Sequence, residues 1–146
     1  MKTHTTNYIN TFIEVAEDCP AKKGEIPPLK GNEKSIAAIQ FEMISQNPYK
    51  YDSDEILFHC FASKKSIAKS ELKHERELFF SKGQPCFRSS PLTKRYGWGI
   101  HSNGDGKIAM FGMETSKYSG LSKDKNLKIL KAMRSKKVKN LISALN

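Results

Sequence analysis

Cysteine, histidine and tryptophan are scarce in this chain of 146 residues, which has three Cys, four His and one Trp. The cysteines (Cys19, Cys60 and Cys86) form no CxxC pair, which excludes a zinc ribbon and a thioredoxin-type motif. The histidines do not follow a metal-ligand spacing, so we expect neither a metal nor a cofactor. Three widely separated thiols, an odd number, indicate reduced cysteines in a reducing compartment.

Long hydrophobic runs are also absent. No apolar stretch approaches the roughly 20 residues of a membrane span. The first residues, MKTHTTNYIN, lack the apolar core of a signal peptide. We therefore expect a cytoplasmic protein without a membrane partner. The length and a hydrophobic content of 38% fit a single globular domain over residues 1–146, without indication of a homo-oligomer.

Acidic residues are few in the second part of the chain. Residues 61–146 contain nineteen Lys and Arg against six Asp and Glu, about +13, whereas residues 1–60 contain six Lys against nine acids, about −3. Such asymmetry suggests an anionic partner for the basic part, with nucleic acid as the first candidate. Charge of this size equally serves solubility and does not require a ligand.

The stretch from Tyr96 to Met113 predicts a β-hairpin. Two turn-forming dipeptides, Asn-Gly and Asp-Gly, separate two segments that alternate in strand fashion. Tyr96, Trp98 and Ile100 share one face of the first strand, and two glycines share the other face with His101. A glycine face lets another chain segment or a ligand come close. Packing by a helix of the same protein and a binding surface beside His101 are both consistent with this pattern.

The remaining pattern predicts an α+β fold, a small antiparallel sheet packed by three or four helices. We expect a strand from Tyr8 to Ala16, a loop over 20–32, helices at about 33–46, 54–62 and 66–81, and a basic helical extension over 137–146. Strand remains an alternative for residues 54–62. Residues 126–134 are consistent with either strand or helix.

The segment from Arg88 to Arg95 predicts an extended loop that mixes cations with hydroxyl groups, which suits an oxyanion such as phosphate. Our first hypothesis is a basic binding module for nucleic acid or another phosphorylated ligand, which uses the loop and hairpin over 88–101. Cations would contact phosphate and aromatic rings would stack on bases. The candidate binding residues are Arg88, Ser90, Lys94, Arg95, Tyr96, Trp98, His101, Arg134, Lys136 and Lys137.

Two other classes of function stay open. A protein-interaction or structural module without catalysis would use the acidic and basic parts for pairing. A cysteine-dependent enzyme would use Cys86 and His101 as a thiol–imidazole pair, although no third member of such a site is evident.

Long motifs resemble a family of small bacterial proteins of unknown function. They are HTTNYINTFIEVAEDCP (His4–Pro20), GEIPP (Gly24–Pro28), QFEMISQNPYKY (Gln40–Tyr51), GQPCFRSSPLTKRYGWGIHSNGDGKIAMFG (Gly83–Gly112) and KAMRSK (Lys131–Lys136). The resemblance covers nearly the whole chain but implies no activity, cofactor or catalytic residue. Residues 137–146 extend beyond the usual end of that family.

Overall fold

A four-stranded sheet organises the α+β domain in the computed structural model, which describes residues 3–29 and 34–136. The elements in chain order are β1 (Thr11–Glu14), α1 (Ile36–Gln46), α2 (Ser53–Lys65), α3 (Leu72–Phe79), α4 (Pro91–Lys94), β2 (Trp98–Ser102), β3 (Ile108–Gly112), α5 (Ser116–Ser122) and β4 (Lys128–Lys131). Short 3₁₀ turns cover Lys69–Glu71 and Phe87–Ser89. The predicted fold class is confirmed. No helix within the described ranges is long and apolar enough to cross a membrane.

The strand order is β3-β2-β1-β4. The predicted hairpin is confirmed as β2 and β3, and β1 pairs antiparallel with β2. The prediction of a wholly antiparallel sheet was wrong in one respect, because β4 runs parallel to β1. The physical reason is the connection: the chain leaves β3, passes through α5 and reaches the opposite edge of the sheet, and such a crossover returns a strand in the parallel direction.

Capping side chains explain where the first two helices begin. The Ser35 hydroxyl accepts a hydrogen bond from the Ala38 amide at the start of α1. Asp52 and Glu55 form a reciprocal capping box at the start of α2. That motif belongs to helix N-termini, so it decides the ambiguous segment 54–62 in favour of helix. The second ambiguous segment, 126–134, contains strand β4.

Several predicted boundaries change. Strand β1 is shorter than predicted, since Asn10 before it has a positive φ of 49° that interrupts extended geometry. The helix predicted over 66–81 splits into a 3₁₀ turn and α3. The loop predicted over 88–95 is not extended: Pro91 occupies the first turn of α4 and Ser90 caps it, as proline favours. The extension predicted over 137–146 lies outside the described residues.

The main core fills the sheet face that carries Ile13, Ile100 and Ile108. Helices α1, α2 and α4 and the Phe87–Ser89 turn cover this face with large buried side chains, namely Ile44, Ile56, Phe87 and Leu92. The opposite face carries Phe12 and is covered by α5. The sheet therefore separates two layers, and the side chains on its two faces pack against different elements.

The N-terminal segment is tied to α2 through one buried carboxylate. Asp54 accepts hydrogen bonds from the Thr5 hydroxyl at 2.6 Å, the Thr6 amide at 2.7 Å and the Thr6 hydroxyl at 2.6 Å. The Asp54 amide in turn donates to the Asn7 side chain at 2.9 Å. Because Asp54 is buried, these bonds replace its contact with water.

Replacing Asp54 with alanine should therefore lower the free energy of unfolding by about 3 kcal/mol, because three donors lose a charged acceptor. Urea denaturation followed by circular dichroism measures the change. The matched control is Asp105→Ala in the exposed hairpin turn, which should stay within about 0.5 kcal/mol of the wild type. Equal effects of both substitutions would contradict a special role for the Asp54 network.

Candidate functional site

The glycine face of β2 is packed by the protein itself. A Cβ atom at Gly99 would lie 2.5 Å from Cζ of Phe12 and 2.7 Å from Cε2 of Tyr118. The two rings meet edge to face with centroids 5.0 Å apart. Of the two interpretations of this face, packing by a helix is therefore the correct one, with Tyr118 of α5 as the contact.

The aromatic face is covered as well. The Trp98 indole nitrogen donates to the Glu25 carbonyl at 2.8 Å, and the Glu25 amide donates to the Tyr96 carbonyl at 2.8 Å. A Cβ atom at Gly24 would lie 2.8 Å from the Trp98 ring, so the loop lies directly on the indole. Phe41 packs with a ring-centroid distance of 5.6 Å. Trp98 is therefore only partly exposed, with the Gly24–Glu25 loop and Phe41 packed against its ring.

The two residues of the proposed thiol–imidazole pair have different partners. Nδ1 of His101 is 2.7 Å from the Tyr49 hydroxyl, whereas Sγ of Cys86 is 3.3 Å from the Tyr8 hydroxyl and 3.4 Å from the Arg88 amide nitrogen. Cys86 and His101 form no hydrogen bond with each other in the described structure. The catalytic arrangement that their closeness in sequence indicated is therefore absent from this geometry.

Burial changes the pKa values of these partners. Burial, and then the nearby charge of Lys117, lowers the pKa of His101, while Asp124 acts weakly in the other direction. Burial and the contact with Cys86 raise the pKa of Tyr8 to about 12. Both groups are consequently neutral near pH 7, which suits hydrogen bonding rather than ionic binding.

Four of the candidate binding residues already have structural partners. The Arg88 Nε donates to the Lys131 carbonyl at 2.7 Å, and the Ser90 hydroxyl donates to the side-chain oxygen of buried Gln40 at 2.6 Å. Arg134 lies 4.0 Å from the Glu17 carboxylate, and the Lys136 amide donates to Asp18 at 2.9 Å. The Arg134 and Lys136 contacts hold the segment after β4 against the residues that follow β1. Lys137 lies outside the described residues.

Apart from Trp98 and His101, described above, three candidates remain, and these lie together. Lys94, Arg95 and Tyr96 line one open groove of about 520 Å³, together with Lys64 at the end of α2 and Ser35 at the start of α1. We call this the cationic groove. Sequence reasoning missed Lys64, because it belongs to a different helix and only the packing of α2 and α4 against the same helix, α1, brings it to this place.

The cationic groove has no negative charge of its own among its described lining residues. Lys94 and Arg95 form no ion pair within the described part of the chain, while the Lys64 ammonium donates to the Lys34 carbonyl at 2.6 Å. The first turn of α1 adds the partial positive charge of a helix N-terminus. The arrangement can therefore receive an anion from several directions.

A second groove continues from the first. It has a volume of about 470 Å³, and its walls include Leu57, Phe61, Phe79, Pro85 and the two thiols Cys60 and Cys86. We call this the apolar groove. Burial raises the pKa of Cys60 to about 12, so its thiol is neutral near pH 7. No group of three or more His, Cys, Asp or Glu within residues 3–29 and 34–136 is arranged to hold a metal ion.

Comparison with known proteins identifies a family but no activity. Residues 3–138 match the model of a family described as a family of unknown function, DUF6157. This match confirms the resemblance that the sequence motifs indicated. No curated protein and no solved structure matches the chain.

The lowered pKa of His101 predicts a pH dependence of stability. In the unfolded chain the His101 side chain binds a proton at its ordinary pKa of 6.5, whereas in the folded protein it does so only at lower pH. The stabilisation that neutral His101 contributes is therefore complete above pH 6.5 and is lost as the pH falls through the lowered pKa of the folded protein. The stability advantage of the wild type over His101→Gln should therefore shrink between pH 7.5 and pH 5. Urea denaturation at each pH measures it.

The control is His74→Gln, because His74 is exposed on α3. This variant should keep the pH dependence of the wild type. If the wild type and His101→Gln differ in free energy of unfolding by the same amount across this pH range, burial does not lower the pKa of His101.

Proposed function

We propose a binding function for this chain. It belongs to DUF6157, a family of unknown function, so membership of the family implies no activity. The protein is a binding module for a phosphorylated or carboxylated ligand held in the cationic groove. The supporting observation is the convergence of Lys64 of α2 with Lys94 and Arg95, which are adjacent in sequence, on one groove with no acid among its described lining residues.

The chemistry of these groups favours oxyanions. Arginine offers a planar fork that matches carboxylate and phosphate oxygens, and the lysines add point charges. Ser35, Ser89 and the half-buried Tyr96 also line this groove. A volume of about 520 Å³ is within the range of small-molecule sites.

The geometry favours a compact anion over an extended nucleic acid. Binding by base stacking needs free aromatic faces, and the Glu25 loop covers Trp98. Arg88 and Arg134, which the nucleic-acid hypothesis included, contact other parts of the protein. A net charge of +10 still attracts polyanions without specificity, but such attraction falls steeply as salt rises.

We propose the cytoplasm as the compartment of this module. Cys19, Cys60 and Cys86 are free thiols, and free thiols persist in reducing compartments. We propose no catalytic role for Cys86 and His101, because the first contacts Tyr8 and the second contacts Tyr49.

The double substitution Lys94→Gln/Arg95→Gln should weaken the binding of ethyl phosphate about tenfold, since it removes charge-assisted hydrogen bonds worth at least about 1.4 kcal/mol in total. Titrations followed by ¹H–¹⁵N NMR measure the affinity and locate the perturbed amides. The matched control is Lys123→Gln/Lys125→Gln, which removes the same charge beside α5, away from the groove.

The same titrations with single- and double-stranded oligonucleotides, at low and near-physiological salt, test the competing hypothesis. We expect any oligonucleotide binding to vanish near physiological salt and to weaken equally in both double variants. Oligonucleotide binding that persists at physiological salt, or ethyl phosphate binding that both double variants weaken equally, would contradict the proposed site.

A further inference from the structure

We infer that the ligand is an amphipathic anion, with its charged head in the cationic groove and an apolar chain in the apolar groove. This inference rests on the proposed function and names the ligand class of the same site. It concerns a single small molecule with a phosphate or carboxylate head, such as an alkyl phosphate, rather than a lipid surface or a protein.

The first argument is continuity. Four residues, Ile36, Lys64, Ser89 and Pro91, line both grooves. The grooves are therefore two ends of one depression between α1, α2 and α4. A ligand that binds the cations at one end has direct access to the apolar walls at the other.

The second argument is the contrast between the two ends. Lys94 and Arg95 lie only at the head end, and the rings of Phe61 and Phe79 lie only at the other end. Lys64 borders both. A ligand that combines a negative charge with an apolar chain complements this order, whereas a purely polar anion leaves the apolar end in contact with water.

The third argument is an exposed apolar side chain at the junction. Ile36, at the start of α1, is 44% exposed although it borders both grooves. Covering apolar surface is favourable, and an alkyl chain passing over Ile36 would remove it from water. The walls beyond it include Leu57 and Pro85, which offer further apolar surface to the chain among polar lining residues such as Lys65 and Gln84.

A series of n-alkyl phosphates tests the inference directly. Ethyl, butyl, hexyl and octyl phosphate keep the head constant and are compared at concentrations at which each is monomeric. Affinity should rise about three- to fourfold for each methylene that becomes buried. An affinity that is the same for ethyl and octyl phosphate would overturn the inference while the proposed function stands.

Substitutions then test the contributions of the cationic groove and the apolar groove separately. Ile36→Gln should weaken the binding of octyl phosphate about fivefold more than that of ethyl phosphate, since Ile36 borders both grooves and only the octyl chain extends along the apolar one. The matched control is Ile26→Gln, because Ile26 is 75% exposed and lines neither groove. Lys94→Gln/Arg95→Gln should weaken the binding of both ethyl and octyl phosphate. Affinities for both ethyl and octyl phosphate that Lys94→Gln/Arg95→Gln leaves unchanged would overturn the proposed function and this inference together.

Cys86 supplies an independent readout, because its thiol is half-buried in the apolar groove. Octyl phosphate should slow alkylation of Cys86 by iodoacetamide, measured by peptide mass spectrometry, and ethyl phosphate should not. Cys19, half-buried outside both grooves, is the internal control. Slowing at both thiols, or at neither, would contradict occupation of the apolar groove.

Vesicles distinguish a free amphiphile from a membrane. The protein should bind only weakly to vesicles of phosphatidylcholine and phosphatidic acid in a cosedimentation assay, and octyl phosphate should reduce this binding. Strong vesicle binding without binding of monomeric octyl phosphate would overturn the inference in favour of a lipid surface. Binding of an acidic peptide that octyl phosphate does not displace would overturn it in favour of a protein partner.

Discussion

The candidate site depends on a buried polar anchor beneath α4. The Ser90 hydroxyl donates to Gln40 of α1, and the Thr93 hydroxyl donates to the Phe87 carbonyl at 2.7 Å. The Thr93 carbonyl in turn accepts from the Ala16 amide at 3.0 Å, after β1. Ser90 and Thr93 are both buried, so leaving any of these groups without a partner would be costly. The anchor therefore fixes a segment without long regular structure against both α1 and the sheet, and the two residues that follow Thr93 line the groove.

This anchor also explains why a serine that sequence reasoning assigned to anion binding has another role. Ser90 caps α4 and holds Gln40, so both hydrogen-bonding functions of its hydroxyl are in use. The same contacts fix the backbone from which the Lys94 and Arg95 side chains extend. A short helix held by buried bonds is a rigid support for charged side chains, and such preorganisation raises the affinity of a binding site.

Local patterns predicted local structure well. The Asn-Gly and Asp-Gly turns identified the hairpin, and the helix predicted at about 33–46 corresponds to α1. The candidate site was predicted only in part, because its formation depends on contacts between distant segments. Lys64 has no local signal that links it to Lys94. Cys86 and His101 are close in sequence yet have different tyrosine partners, and the loop that covers Trp98 carries no pattern that would reveal its position.

A part of the uneven charge of the chain is used within the molecule. Three of the ion pairs in the described part of the chain join a cation of the basic part to an acid of the first part: Lys107–Glu55, Lys131–Glu14 and Arg134–Glu17. Such exposed pairs contribute little to stability individually. They nevertheless show that acidic and basic parts can meet in one chain without a second molecule. Net charge alone therefore indicates little about function, whereas Lys94 and Arg95 are informative because they line one groove with Lys64 and no acid is among its described lining residues.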